Sequence, residues 1–214
     1  ITLDGVSTYA GSVFLDTSTG GGDASLTNVS SAVDLGLSDV TGALTVSNGA
    51  GITDSGNINV GGAASFSANA GASDITLGDG TMANFGSLDV TGATVAITEA
   101  SATALDGVSV ATLNLTSSGA ITDTGVSNVV VSGTATLNAG AANDITLDVT
   151  TNDFGTVAIT AGNNVTLVDA NAIDLGASTV SGILDVTASG AITDSGALSV
   201  TGTTTLAAGS ANDI

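Results

Sequence analysis

The chain has 214 residues, with 20 acidic side chains, no Lys, Arg or His, and a formal net charge of −20. That balance excludes a nucleic-acid partner, because phosphate binding draws on Lys and Arg, and for the same reason it argues against docking on anionic membranes. The absence of Cys removes disulfides and thiolate metal sites, while an apolar fraction of 43% sets the chain apart from disordered acidic tails, which are poor in Val, Ile and Leu.

In chain order, the opening Ile1-Thr2-Leu3-Asp4 returns at Ile145-Thr146-Leu147-Asp148. Ile52-Thr53-Asp54-Ser55-Gly56 returns as Ile121-Thr122-Asp123-Thr124-Gly125 and again, after a nearly equal step, as Ile192-Thr193-Asp194-Ser195-Gly196. Asp74-Ile75-Thr76-Leu77 returns at Asp144-Ile145-Thr146-Leu147 and starts again at Asp213-Ile214. Fixed self-similarity of this kind marks a stacked repeat architecture. The chain is read as one solenoid segment, 1–214, made of three cycles: 1–74, 75–144 and 145–213. It opens on Ile within a cycle and is expected to be a piece of something longer. No run of about 18 apolar residues occurs, so no membrane-spanning helix is expected, and no basic-then-apolar leader opens the chain.

Short apolar alternations such as Val165/Leu167, Leu184/Val186 and Leu198/Val200 have the period of a strand. Clusters of Gly, Asn, Asp and Ser separate them, as turns require. In the third cycle this predicts nine strands, centred near Thr146, Ala158, Thr166, Asp174, Val180, Asp185, Thr193, Ser199 and Thr205. Nine strands fold as three rungs of three. The prediction is an all-β, triangular parallel β-helix with rungs of about 23 residues, about nine in all. Ile145, Ile173 and Ile192, leading to Ile214, would stack on one face. Val157, Val180 and Leu198 would stack on the second, and Leu167, Val186 and Leu206 on the third. The lack of Pro agrees, since Pro deletes a donor from an interior ladder.

Cycle three, with Asn152-Asp153-Phe154-Gly155, Asn164-Val165-Thr166-Leu167, Ala172 to Gly182 and Gly190-Ala191-Ile192-Thr193-Asp194-Ser195-Gly196, resembles the repeat regions of filamentous-haemagglutinin-like exoproteins. Many of those are exported by two-partner secretion. The resemblance implies a right-handed β-helix shaft at the bacterial cell surface or outside the cell, with a role in adhesion, biofilm or cell contact. The complete absence of Lys and Arg departs from that family.

The recurrent acids are the candidate site residues. Asp54, Asp123 and Asp194 share one cycle position, and Asp74, Asp144 and Asp213 another. Carboxylates and turn carbonyls suit Ca²⁺, the one cofactor weighed. The preferred reading is an Asx-type turn, in which each side chain accepts from nearby backbone. Asp194 is placed at a corner, with its strand ending near Thr193. Glu99, the only Glu, is read as a solvated loop residue that breaks the periodicity. Phe85 and Phe154, like Phe66, Leu137 and Leu206, are read as interior fillers. Asn28, Asn114 and Asn164 head glycosylation-type triplets of the sort a Ser/Thr-rich chain produces by chance. Nucleophilic triads, phosphate loops and transition-metal clusters lack their His, Lys or Cys members, so no enzyme is expected. The expected partners are neighbouring repeats or other copies of the chain end to end, with host or cell-surface receptors or glycans as targets. The alternative function is a self-assembling subunit of an extracellular filament or lattice.

Overall fold

Alternation decides which side of each strand is dry. In Leu44–Asn48, Leu44, Val46 and Asn48 are buried, while Thr45 is exposed and Ser47 half-buried. The computed structural model describes residues 1–125, 127–210 and 213–214, with the side chains of Asn28 and Val29 also outside the description, so the Asn28 triplet lies outside it. All nine strands expected of the third cycle are present. Strand pairs among the described residues are parallel, each strand lying on a later stretch of the chain. The fold is a parallel β-solenoid. The one helical element among the described residues is a 3-10 turn at Asn69–Gly71.

Two compact units divide the chain, Ile1–Ser101 and Ala102–Ile214. Three ladders build the first unit. One stacks Leu26, Val46, Phe66 and Val90. A second stacks Val33, Ile52, Ile75 and Val95. A third stacks Ser38, Ile58 and Ala83, and beside them Val40, Val60 and Phe85. Phe66 and Phe85 meet inside the coil edge to face, with ring centroids 5.5 Å apart, the geometry that ring quadrupoles favour. Both are buried, as is Phe154, which confirms them as interior fillers.

The second unit repeats the scheme. Ile121, Ile145, Val165 and Leu184 form one column, and Leu113, Ala135, Val157 and Leu175 another. Leu167, Val186 and Leu206 stack as expected. The other two predicted columns are corrected. Ile145 lies on Val165 rather than on Ile173, and Ile173 lies on Ile192. Val157 lies on Leu175 rather than on Val180, and Val180 lies on Val200.

The cause is a coil shorter than expected: in cycle three the chain returns to the same column after about 20 residues, from Ile145 to Val165, Leu184 and Thr204, rather than after about 23, so one cycle is not three whole coils. Elsewhere the coils are unequal. Leu44 pairs with Ala64, but Ala64 pairs with Leu88, a longer step along the chain. The extra length sits at corners. Between Asn48 and Ile52 the chain needs only Gly49, Ala50 and Gly51, whereas Asn69 to Asp74 lie between Ala68 and Ile75. The added turn runs through Asn69, Ala70 and Gly71 at positive φ. Elsewhere the coils approach so closely that only Gly fits. A Cβ on Gly62 would lie 2.9 Å from the Gly42 carbonyl, and one on Gly155 would lie 2.7 Å from the Gly133 carbonyl oxygen. These glycines stack on glycines because no side chain has room.

The inward and outward faces give a direct test. Val186 is fully buried and its neighbour Thr187 is exposed. Val186→Asp puts an uncompensated charge into the core and should cost about 3 kcal/mol or more. Thr187→Asp should stay within about 0.5 kcal/mol. Chemical denaturation of the two variants checks the assignment, and equal losses would refute it.

Candidate functional site

The six candidate aspartates sit at corners or strand ends. Four of them find their hydrogen-bond donors on the next coil rather than in their own turn. Asp74 Oδ1 accepts the Thr94 N–H at 3.0 Å, and Asp144 Oδ1 accepts the Asn164 N–H at 3.0 Å and the Asn163 amide at 2.9 Å. Asp23, outside the candidate set, does the same for Ala43 at 2.8 Å. Asp54 accepts the Gly78 N–H at 2.9 Å and the Thr81 hydroxyl. Asp123 accepts the Val149 N–H at 3.0 Å and the Asn152 amide at 2.8 Å. The carboxylate thus ties a corner to the coil that follows. The local turn expected from the sequence occurs instead at Asp16, which accepts the Ser18 N–H at 2.8 Å.

Asp194 is exposed and closes the strand Ile192–Asp194, one residue later than expected. Asp213 is exposed, and its carbonyl accepts the Ile192 N–H at 3.1 Å. Among the described residues, no three acidic side chains are placed together to hold a metal ion. Asn164 is engaged on both sides, donating to Asp144 and accepting the Ile183 N–H.

Glu99 corrects the sequence reading most sharply. It is fully buried at the end of Ala83–Glu99, where it accepts the Phe85 N–H at 3.1 Å and the Ser101 hydroxyl at 3.0 Å. It also keeps the period, because Asp169, one cycle on, is 1% exposed and accepts the Phe154 N–H at 2.7 Å. Each acid serves the backbone of a buried Phe. Aligning the stretch from Phe85 to Glu99 on that from Phe154 to Asp169 was the signal to find it. The Asp-for-Glu exchange conceals the equivalence.

Two further carboxylates form hydroxyl clusters that the sequence did not single out. Asp34 accepts from Ser12 and from Ser55 at 2.7 Å, and Asp174 accepts from Ser195 at 2.5 Å and Thr156 at 3.1 Å. In a chain without cations, hydroxyls and N–H groups provide the donors that Lys and Arg provide elsewhere.

The first unit carries an open groove of about 380 Å³ across successive coils. Its polar side is a side-chain ladder: the Asn59 amide donates to Asp39 at 2.9 Å, Asn84 to Asn59 at 3.0 Å, and Ser101 to Asn84 at 2.6 Å. Its other side holds Leu37 and Met82, 62% and 58% exposed, with Asn57 between them. Asn57 Oδ1 accepts the Met82 N–H at 3.0 Å.

Coil-to-coil parallel ladders, with the same corner chemistry recurring from cycle to cycle, define a β-solenoid repeat protein. Models of the family described as Repeats of unknown function (DUF5649) match residues 21–91, 92–161 and 162–214, and the chain belongs to that family. No curated protein and no solved structure matches it.

Burial raises the pKa of Asp54 and Asp169 above the ordinary Asp value, outweighing their hydrogen bonds. Both bind a proton more tightly folded than unfolded, so their contribution to stability grows as pH falls through the folded pKa and is complete below the unfolded one. Asp16 is held low by the Ser18 hydroxyl and N–H, so its contribution is lost only as pH falls below the usual carboxylate range. The thermal midpoint should therefore rise between pH 7 and about 4, helped by relief of self-repulsion. Asp169→Asn should flatten part of that rise, and an unchanged pH profile would contradict the assignment. At neutral pH, Asp169→Ala leaves the buried Phe154 N–H without its acceptor and should cost about 1–3 kcal/mol, read by denaturant titration.

EDTA separates the two readings of the corner acids. As acceptors of backbone N–H groups they should leave the thermal midpoint unchanged on chelation. A fall with EDTA that Ca²⁺ reverses would assign them to an ion.

Proposed function

We propose that this chain is a section of the shaft of a large bacterial surface or secreted adhesin of the filamentous-haemagglutinin-like kind. Its work is mechanical: to hold adhesive surfaces away from the cell. The observation that carries the reading is the use of the recurrent polar side chains. Asp23, Asp54, Asp74, Asp123 and Asp144 each bind the backbone of the next coil, so the repeated chemistry serves continuity of the stack. Backbone ladders and an apolar core running through successive coils resist extension along the axis in the same way at every repeat. The resemblance of cycle three to those exoproteins supports a placement outside the cell.

The test is the intact mass of the native polypeptide that contains this segment, measured after full denaturation, together with antibody labelling of unbroken cells. The expected result is a mass many times the 20.1 kDa of this chain and labelling without permeabilisation. A mass near that of this chain would turn the reading toward a self-assembling subunit, and labelling confined to broken cells would overturn the surface placement.

A further inference from the structure

We propose that the groove on the first unit is a binding site for a linear, neutral, β-linked oligosaccharide. The proposal deepens the adhesin reading and rests on it for where such a ligand is met. Four features carry it: spacing, donor and acceptor supply, the apolar side, and the contrast with the second unit.

Asp39, Asn59 and Asn84 stand on successive coils in one register column, with Ser101 bonded beyond them. Coils stack at about 4.8 Å, so the row offers a polar group at a regular step. An extended β-linked sugar chain advances by nearly the same step per unit. A side-chain amide has two N–H donors and an acceptor oxygen with two lone pairs. Asn59 uses one donor on Asp39 and one lone pair on Asn84 within the row. That leaves one N–H and one lone pair of an exposed side chain outside the row, the pairing that a sugar hydroxyl, both donor and acceptor, satisfies.

Leu37 and Met82 lie exposed along the other side. They give the groove an apolar wall for the C–H face of a pyranose, while the amides take its hydroxyl edge. The volume of about 380 Å³ lies within the range of small-ligand sites. The chain has no Lys, Arg or His with which to neutralise an acidic sugar, and its net charge of −20 repels one, so the ligand is neutral. An extended peptide is a poorer occupant. β-Strand addition needs unpaired backbone at a sheet edge, and here the backbone of Ser38–Val40 and Ile58–Val60 is already paired along the stack.

The second unit is an internal control. Ser178 pairs with Leu198 as Ser38 pairs with Ile58, which places Ala177, Thr179, Ala197 and Ser199 where the first unit has Leu37, Asp39, Asn57 and Asn59. The same strands form on both. The groove side chains are therefore not demanded by the fold, which is what a binding function superimposed on a scaffold looks like.

The test titrates the full chain with cellohexaose, chitohexaose and, as the β-linked acidic control, the β-1,4-mannuronate hexamer, by calorimetry. Saturable binding of a neutral hexamer at one site, with no binding of the acidic one, is expected. The variant Leu37→Ala/Asp39→Thr/Asn57→Ala/Asn59→Ser carries residues that the second unit already tolerates. It should remain folded by thermal melting and lose at least about tenfold in affinity, the scale of one lost hydrogen bond to a charged or well-placed group. Leu37→Ala alone, at an exposed position, should weaken binding without touching stability. Failure of both neutral probes at millimolar concentration, equal binding of the acidic one, or undiminished binding by the variants would each overturn the proposal. So would a dimer in sedimentation that these substitutions dissolve, because the groove would then belong to a second copy. None of these outcomes bears on the mass and surface labelling that test the shaft.

Discussion

Parallel stacking in register is the constraint on which everything else depends. Each residue has as its neighbour along the axis a residue roughly one coil later, in the same orientation and on the same face. Columns therefore select residues that tolerate company of their own kind. Val, Ile, Leu and Phe fill the inner columns. Glycine lies on glycine where the backbones close in, and asparagine hydrogen-bonds to asparagine at the surface. Carboxylates do not tolerate one another, and this chain has no basic side chain to separate them. Where Asp16 and Asp39 are bridged, each turns to a different donor, Ser18 for one and Asn59 for the other.

That constraint explains how much the sequence disclosed. Strand existence and the solenoid class were legible, because alternation and the long repeat period are written in many residues at once. Register was only partly legible. The column Leu167–Val186–Leu206 could be read because the two coils it spans are close to equal in length. Ile145 is not matched to Val165 when three whole rungs are fitted to each cycle, because the coils here are about 20 residues long and a cycle is not a whole number of them. The direction of the aspartate hydrogen bonds was hidden for a different reason. Asp-Ser-Gly is an ordinary local turn on paper, whereas in the fold the nearest unsatisfied donor belongs to the next coil.

Glu99 and Asp169 show the opposite failure. A lone acid in a hydrophobic stretch reads as solvated, since burying charge is costly. Here the cost is offset by a buried backbone N–H that takes the carboxylate as its acceptor. The chemical need is the same in both units, while the side chain that meets it differs by one methylene. The groove of the first unit is a third kind of case. It depends on which side chains share a column, so it exists only once the register is known.

The corner carboxylates also give the stack a direction. Asp23, Asp54, Asp74, Asp123 and Asp144 accept from the coil that follows, whereas Glu99 and Asp169 accept the N–H groups of the earlier Phe85 and Phe154 together with a donor two residues on, Ser101 and Asn171. A coil cut from such a stack has two chemically different sides. The side toward the later chain presents outer carboxylates awaiting donors, and the side toward the earlier chain presents the N–H groups that would answer them. Two carboxylate sides brought together set anion against anion and two N–H sides set donor against donor, while unlike sides match. The axis is a one-way street: along it, corner carboxylates face the later coil and the N–H groups that bind them lie on that coil.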